Sequence, residues 1–504
     1  MKKWSLKAGA GFLGCLLLLG VCEAQDLAAF EKAVTEHKLA NGLTVLLLER
    51  HSAPVFSFYT LVDVGAVQEE DGQTGLAHMF EHMAFKGNQK IGVTDAAAES
   101  KVLEKIEASY LAYDEERRRT VGRDDKRVAE MEKAWRNAIK EGEPFVVKNE
   151  FAEIVERNGG TDLNAGTSYE ETTYLYSLPS NRLELWAYLE SERFIKPVMR
   201  EFYTERDVVM EERRMRTDSS PIGRLVEQFL AAAFVAHPYR RPIVGWPSDL
   251  DSFSATDARL FFERHYVPAN MTIALVGDVT AAEALPLLER YFGRLPAGPR
   301  PAPLATREPE QFVERQVIMK DPSQPFYIEG YHRPDSLDPD NAVYDALSDI
   351  LSAGRTSRLY RALVRDQKIA VEAAGFSGFP GIKYPHLFAF YAVPAEGHTS
   401  AEVRQAIHRQ IEKLKQEELS EDEIRQVKAR AKAALIRGMS SHIGLAQSLA
   451  TAAARFGDWR EMFRQVERME KVTGEDIRRI ARQVFTDRNR TAAWIESELP
   501  GKKS

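Results

Sequence analysis

The chain has 504 residues, 44% of them hydrophobic and 28% charged, with a formal net charge of -7. That length exceeds one ordinary core and asks for at least two domains, and the composition is that of a soluble, folded protein. Acidic and basic residues are matched along most of the chain, which excludes a nucleic-acid surface built on a basic face.

In chain order, Lys2 and Lys3 precede the apolar run "AGAGFLGCLLLLGV" (8–21), too short to cross a bilayer comfortably. With "CEA" after it, this reads as a secretory signal peptide over 1–24, cleaved near Ala24. An uncleaved anchor is the alternative, and lipid attachment at Cys22 is poorly served by Val21. The only cysteines, Cys15 and Cys22, lie in this segment. The mature chain would have no disulfide and no thiolate chemistry. A periplasmic or secreted bacterial protein is expected, with no membrane span after cleavage.

Two strands follow, "LTVLLLER" (43–50) and "FSFYTLVDVG" (56–65). Residues 74–87 then read TGLAHMFEHMAFKG. On a helix, His78 and His82 are four apart and face one side, and Glu81 projects towards it. Two neutral imidazoles with a carboxylate suit zinc and leave a position open. Such a metal would activate water near neutral pH, and Glu81 could carry its proton. The plain reading is a helix that happens to hold two histidines. With 11 His in the chain, the spaced triplet argues against coincidence.

Residues 98–147 are highly charged, with apolar residues at helical spacing and "TVGRDD" as a turn. They are expected to form a helical hairpin inserted in the first half, either a packing arm or a docking surface. "NAGTSYEETTYLYSL" (164–178) reads as a turn and then a strand, in its plainest form an edge strand with a polar turn. "YTERDVVMEERRMR" (203–216) offers a third metal ligand or is a solvated helix. Glu205 and Glu212 share a face, and Glu211 lies about 100° round the helix as the rival.

The chain also repeats itself. "SATDARLFFERHYVPANMTIALVG" (254–277) resembles "VTGEDIRRIARQVFTDRNRTAAWIE" (472–496): Asp257, Arg259, Asn270 and Thr272 recur as Asp476, Arg478, Asn489 and Thr491 at a constant offset. Both read as helix, Asn turn and strand. The Pro-rich stretch 296–310 would join a first domain, 25–295, to a homologous second, 311–504, which opens with "RQVIMK" and "FYIEGYHR". Early hairpin-like strands mixed with helices predict α+β domains, each a mostly antiparallel sheet packed with helices. The second half has no pair of histidines at metal spacing.

"HMFEH" is the inverted zinc motif HxxEH. With "NAGTSYEETTY" (164–174), "ERDVVMEE" (205–212), "HPYRRPIVGWPSDL" (237–250), "NMTIALVGDV" (270–279) and "GRTSRLYRAL" (354–363), the chain resembles the pitrilysin/insulysin family, which includes the mitochondrial processing peptidases, over roughly 36–498. The resemblance implies His78, His82 and Glu212 as ligands of one zinc per chain and Glu81 as general base. Glu205 would be a carboxylate that orients the ligand histidine. Asn164 and Ala165 would contact substrate on an edge strand that pairs with extended peptide. It further implies two domains enclosing a chamber that admits peptides or unfolded segments, and hydrolysis of internal peptide bonds.

The second half of the family often supplies an Arg and a Tyr to the scissile carbonyl. Here Arg365 is present but Val371 stands where the Tyr is expected, with Tyr384 or Arg358 as substitutes. This departure raises the expectation of a partner, a second copy or a zinc-free relative, that supplies the missing pair. The rival readings are a non-catalytic peptide-binding or scaffold subunit, and a metal-dependent hydrolase of another substrate.

Overall fold

The computed structural model describes residues 29–498. The expected signal peptide and both cysteines lie outside them. Eleven strands form two mixed, mostly antiparallel sheets. The first sheet uses β1 (Val34–Lys38), β2 (Thr44–Glu49), β3 (Val55–Val62), β4 (Thr161–Thr167), β5 (Thr172–Pro179) and β6 (Met271–Gly277), in the order β1-β2-β6-β3-β5-β4. The second uses β7 (Arg315–Asp321), β8 (Tyr327–Arg333), β9 (Ala370–Phe379), β10 (His386–Pro394) and β11 (Arg490–Ser497), in the order β7-β11-β8-β10-β9. β3 and β6 are central and covered on both faces, so they read as near-continuous apolar runs rather than alternating ones.

The sheets share one wiring. β2, β6, β3, β5 and β4 occupy the places of β7, β11, β8, β10 and β9, and the single parallel pair of each sheet is β2 with β6 and β7 with β11. The repeated sequence is the repeated structure. The helices Ala255–His265 and Gly474–Val484 open with equivalent capping boxes, Ser254 with Asp257 and Thr473 with Asp476. Asn270 Nδ2 donates to the carbonyls of His265 (3.0 Å) and Asp63 (3.1 Å), and Asn489 Nδ2 to those of Val484 and His332 (both 2.9 Å). Each asparagine therefore ties its helix end to the neighbouring strand. Asn270 is buried, so Asn270→Ala is expected to strand two carbonyls and cost about 1–3 kcal/mol. The result would be read as a lower urea midpoint at unchanged slope.

Packing does not follow the covalent boundary. The helix Pro221–Ala233 of the first half lies on β7 and β11, where Leu225, Phe229 and Leu230 join Phe326, Ile328 and Leu387 in one apolar cluster. The helix His442–Phe456 of the second half lies on β3 and β6, where Leu445 and Leu449 join Leu46, Tyr59 and Val276. Each half thus covers the other's sheet. Between these clusters the buried carboxylate of Glu170 accepts the backbone N–H groups of Ile382 (2.6 Å) and Lys383 (2.7 Å) from across the divide.

The charged block is the expected hairpin, with helices Ala96–Arg118 and Asp125–Gly142 capped by the side chains of Asp95 and Asp124. One reading changes. Asn164 and Ala165 lie inside β4 and not in a turn; the turn falls at 168–171, where Ser168 Oγ accepts the N–H groups of Glu170 and Glu171 (both 3.1 Å). Pairing with β5 outweighs the turn preference of "NAG", and a register shift beside Asp162, at φ 59°, takes up the extra residues.

Candidate metal centre

The helix Leu76–Met83 carries HxxEH. Leu76, Ala77, Met79, Phe80 and Met83 face the core, while Glu81 and His82 are half-buried and His78 is 5% exposed. No side chain of its own caps the helix start, where Gly75 sits at φ 98°. Instead the buried carboxylate of Glu69 accepts the N–H groups of Gly75 (2.9 Å) and Ala77 (2.8 Å). Negative charge at a helix N-terminus is favourable, yet burial dominates and pushes the Glu69 carboxyl up to about 8.

The helix Phe202–Arg213 brings Glu205 and Glu212 alongside. Nε2 of His78 is 3.6 Å from Glu212 Oε1, and Nε2 of His82 is 3.4 Å from Glu212 Oε2. Among the described residues this is the one group of three His, Cys, Asp or Glu side chains close enough to share an ion, with ligand atoms within 4.8 Å of one another. A tetrahedral zinc about 2.0–2.2 Å from each donor leaves ligand atoms about 3.3–3.6 Å apart. The two His–Glu212 separations match that range, and two imidazoles with a carboxylate are a donor set that zinc takes. The rival Glu211 is half-exposed and paired with Arg214 at 2.6 Å.

Glu205 stands behind the site. Its Oε1 is 2.8 Å from His82 Nδ1, so Nδ1 carries the proton and the Nε2 lone pair is aimed at the ion position. Lys86 Nζ reaches the other oxygen at 2.5 Å. Against the cost of their own burial, Glu205 is held down at about 2 by His82 and Lys86, and His82 is raised by Glu205 and Glu212. Burial, with His82 and Arg216, lowers His78 to about 3 and keeps it in the neutral form that binds metal.

Burial likewise lowers His237, His265 and His386 to about 4. The folded pKa values lie below the unfolded 6.5, so these four histidines contribute stability above pH 6.5 that is lost as pH falls towards 4 and 3. Glu69 acts with the opposite sign between pH 4.5 and 8, as do Glu171, Glu190 and Asp345, whose carboxyls burial raises, but the large shifts of four histidines outweigh them below pH 6.5. The metal-free chain is expected to lose thermal stability steadily from pH 6.5 to 4, as a calorimetric pH series would record.

Two cavities meet at the triplet. One of about 620 Å³ is lined by His78, Glu81, His82, Glu212, Ala165 and Gly166. A side cavity of about 380 Å³ opens beside Glu81, His82, Phe85, Phe151 and Glu205. All lining residues of both come from the first half. β4 is the outer strand of its sheet, so one row of its backbone groups is free to pair. Ala165 lines the cavity that holds the triplet. Asn164 is exposed, its Oδ1 accepting the Ala165 N–H, and is not among the lining residues. In the second half Arg358 is paired with Glu423 and Arg365 with Asp366, and Tyr384 packs on His237 with ring centroids 5.1 Å apart.

Sequence reasoning missed Arg216, which bonds Glu212 at 2.6 Å and lines the metal cavity. Its spacing of four from Glu212 was the available signal. It also missed Lys86, whose partners Glu201 and Glu205 are distant in the chain, and Glu69, which reaches only to Gly75 and Ala77.

The chain matches two family descriptions: "Insulinase (Peptidase family M16)" over residues 44–120 and 145–246, and "Peptidase M16 inactive domain" over 252–431. It is 28% identical to the zinc protease PqqE of Helicobacter pylori over 98% of this chain and all of that one. It is 27% identical to the probable zinc protease PqqL of Escherichia coli over 56% of this chain, spanning a quarter of that protein. Among solved structures, a protease from Helicobacter pylori superposes with TM-score 0.75 at 26% identity, over 92% of this chain and 99% of that one. The periplasmic protease PqqL from Escherichia coli shares the fold, with TM-score 0.67 at 19% identity over 92% of this chain and 48% of that one.

Proposed function

Because the chain belongs to peptidase family M16, we propose that it is a zinc-dependent endopeptidase that hydrolyses peptides or unfolded segments at His78, His82 and Glu212. One observation carries the reading: the Nε2 atoms of both histidines lie 3.4–3.6 Å from the Glu212 carboxylate, on the wall of a cavity that also holds Glu81. What zinc at this triad supplies is Lewis acidity, which polarises a carbonyl and acidifies water.

The chain's own residues do the rest. The free edge of β4 pairs with extended peptide backbone, tolerant of sequence. Glu81 takes the proton of the attacking water and returns it to the leaving amine. Glu205 keeps His82 in its tautomer and orientation.

The reading puts the mature chain in the periplasm or outside the cell. It rests on the signal-like opening sequence and on the shared fold of the periplasmic protease PqqL. No helix among the described residues is long and apolar enough to cross a membrane. It also includes a partner, a second copy or a zinc-free relative, that adds an Arg and a Tyr to the scissile carbonyl. That part is favoured by the engagement of Arg358, Arg365 and Tyr384 elsewhere. A scaffold subunit without catalysis is the rival.

The test is zinc content and cleavage of an unstructured peptide library by the purified chain, alone and with candidate partners. One zinc per chain with internal cleavage supports the reading. Zinc without cleavage, even with partners, favours the scaffold, and no zinc rejects the metal centre.

A further inference from the structure

We infer that the inserted helical hairpin is the buttress of the metal site, and that Glu99 and Arg200 are the positioning residues through which it locks the two ligand-bearing helices together; this rests on the metal-site reading above. The connection from β3 to β4 runs over residues 63–160, whereas its counterpart from β8 to β9 runs only over 334–369. Among the described residues the second half has no metal triad and no such hairpin.

At the hairpin's foot lies Arg200, 1% exposed, just before the helix that carries Glu205 and Glu212. Its Nε and Nη2 donate to Glu99 on the first hairpin helix, at 2.5 and 2.8 Å. Nη1 donates to the carbonyls of Lys86 (2.5 Å) and Ile91 (3.0 Å), and Nη2 to that of Asn88 (3.0 Å). All five N–H donors of the guanidinium are used. Its partners are the hairpin and the 86–91 segment that follows the HxxEH helix. The chain makes room for it: a Cβ on Gly92, which sits at φ 84°, would fall 2.5 Å from Arg200 Nη1.

From this point a polar path leads to the metal ligand. Lys86, held by its carbonyl, spans to Glu205 with its ammonium, and Glu205 holds His82 Nδ1. A second contact braces the other helix. Tyr110 of the hairpin packs on Tyr203 with centroids 4.4 Å apart and accepts Arg206 Nη1 at 2.8 Å, and Trp135 stacks edge-on to Tyr203 at 5.2 Å. Tyr203 and Arg206 lie on the same helix as Glu205 and Glu212. Among the described residues Glu99 is the only acidic partner of the buried Arg200 charge, so its neutralisation leaves that charge uncompensated and loosens the whole junction.

The test uses the full chain as wild type, Glu99→Gln, Glu99→Asp and, as control, Arg117→Gln, which breaks the hairpin's distal anchor to Asp251 without touching Arg200. Zinc affinity is measured by competition with a chromophoric chelator, at a temperature where circular dichroism shows every variant folded. Amide hydrogen exchange over 76–92 is followed in the metal-free proteins. Glu99→Gln is expected to weaken zinc by about 3- to 30-fold, less than loss of Glu205 itself, and to speed exchange over 76–92. Glu99→Asp, which keeps the charge, should lose less and serves if Glu99→Gln does not fold. Arg117→Gln should stay within about twofold.

Unchanged zinc affinity in both Glu99 variants overturns the inference, as does an equal loss in Arg117→Gln. If the wild type itself binds no zinc, the proposed function fails; the exchange data then decide this inference alone, and no acceleration in Glu99→Gln rejects it.

Discussion

Replacing Glu81 by Gln is expected to lower peptide hydrolysis by about 10²–10⁴-fold, the range for loss of a positioned acid–base group, while zinc content stays at that of the wild type. Glutamine keeps the size and one acceptor of the side chain, so the helix Leu76–Met83 and its buried face should be undisturbed. Glu81 contributes nothing to the convergence of His78, His82 and Glu212, and metal binding should not register the change. Thermal stability of the zinc-loaded protein should match that of wild type. A variant that loses zinc together with activity would show that Glu81 supports the ion rather than the proton transfer. Activity retained within a few fold would remove it from the mechanism.

The second large effect separates three glutamates on one helix. Glu212→Gln is expected to weaken zinc by well over 100-fold, because it replaces a carboxylate, whose two oxygens face one Nε2 atom each at 3.4 and 3.6 Å, by a neutral amide. Glu205→Gln acts only through His82 Nδ1 and should cost about 10- to 100-fold. It also leaves the Lys86 ammonium with Glu201 alone, 3.3 Å away. Glu211→Gln should leave affinity within about twofold, since its carboxylate is paired with Arg214 on the outer face. Isothermal titration with zinc on the metal-free proteins would rank them. An order other than 212, 205, 211 would reassign the third ligand.

These expectations depend on distances that no sequence pattern contains. Seven-residue spacing puts Glu205 and Glu212 on one face, but both then appear equivalent. The fold distinguishes them: Glu212 meets the imidazole edges that face the cavity, and Glu205 meets the edge that faces away. The expected turn at Asn164 failed for a related reason. Local turn preference is worth little against a full ladder of hydrogen bonds to β5, a strand that the local sequence does not announce as partner. The reciprocal helices were also out of reach. The amphipathic patterns of Pro221–Ala233 and His442–Phe456 say that each buries a face, without saying that it buries it on the other half's sheet.

By itself the sequence determined the duplication, through Asn270 and Asn489 at matching turns, the helical hairpin over 98–147, and the HxxEH helix. All three are local: each is written in periodicity or caps within a few turns of chain. Spacing left Glu205 and Glu212 equivalent and the family resemblance favoured Glu212; only the tertiary structure sets the Glu212 carboxylate beside both Nε2 atoms, closes the open N-terminus of the HxxEH helix with Glu69, and joins that helix to the hairpin through Arg200. Arg200 is a buried charge whose partner lies far away in the chain, Glu99 being 101 residues off. A buried charge is tolerable only where folding delivers its partner. The residue type alone therefore reads as surface, and the pairing becomes visible only when the chain is closed.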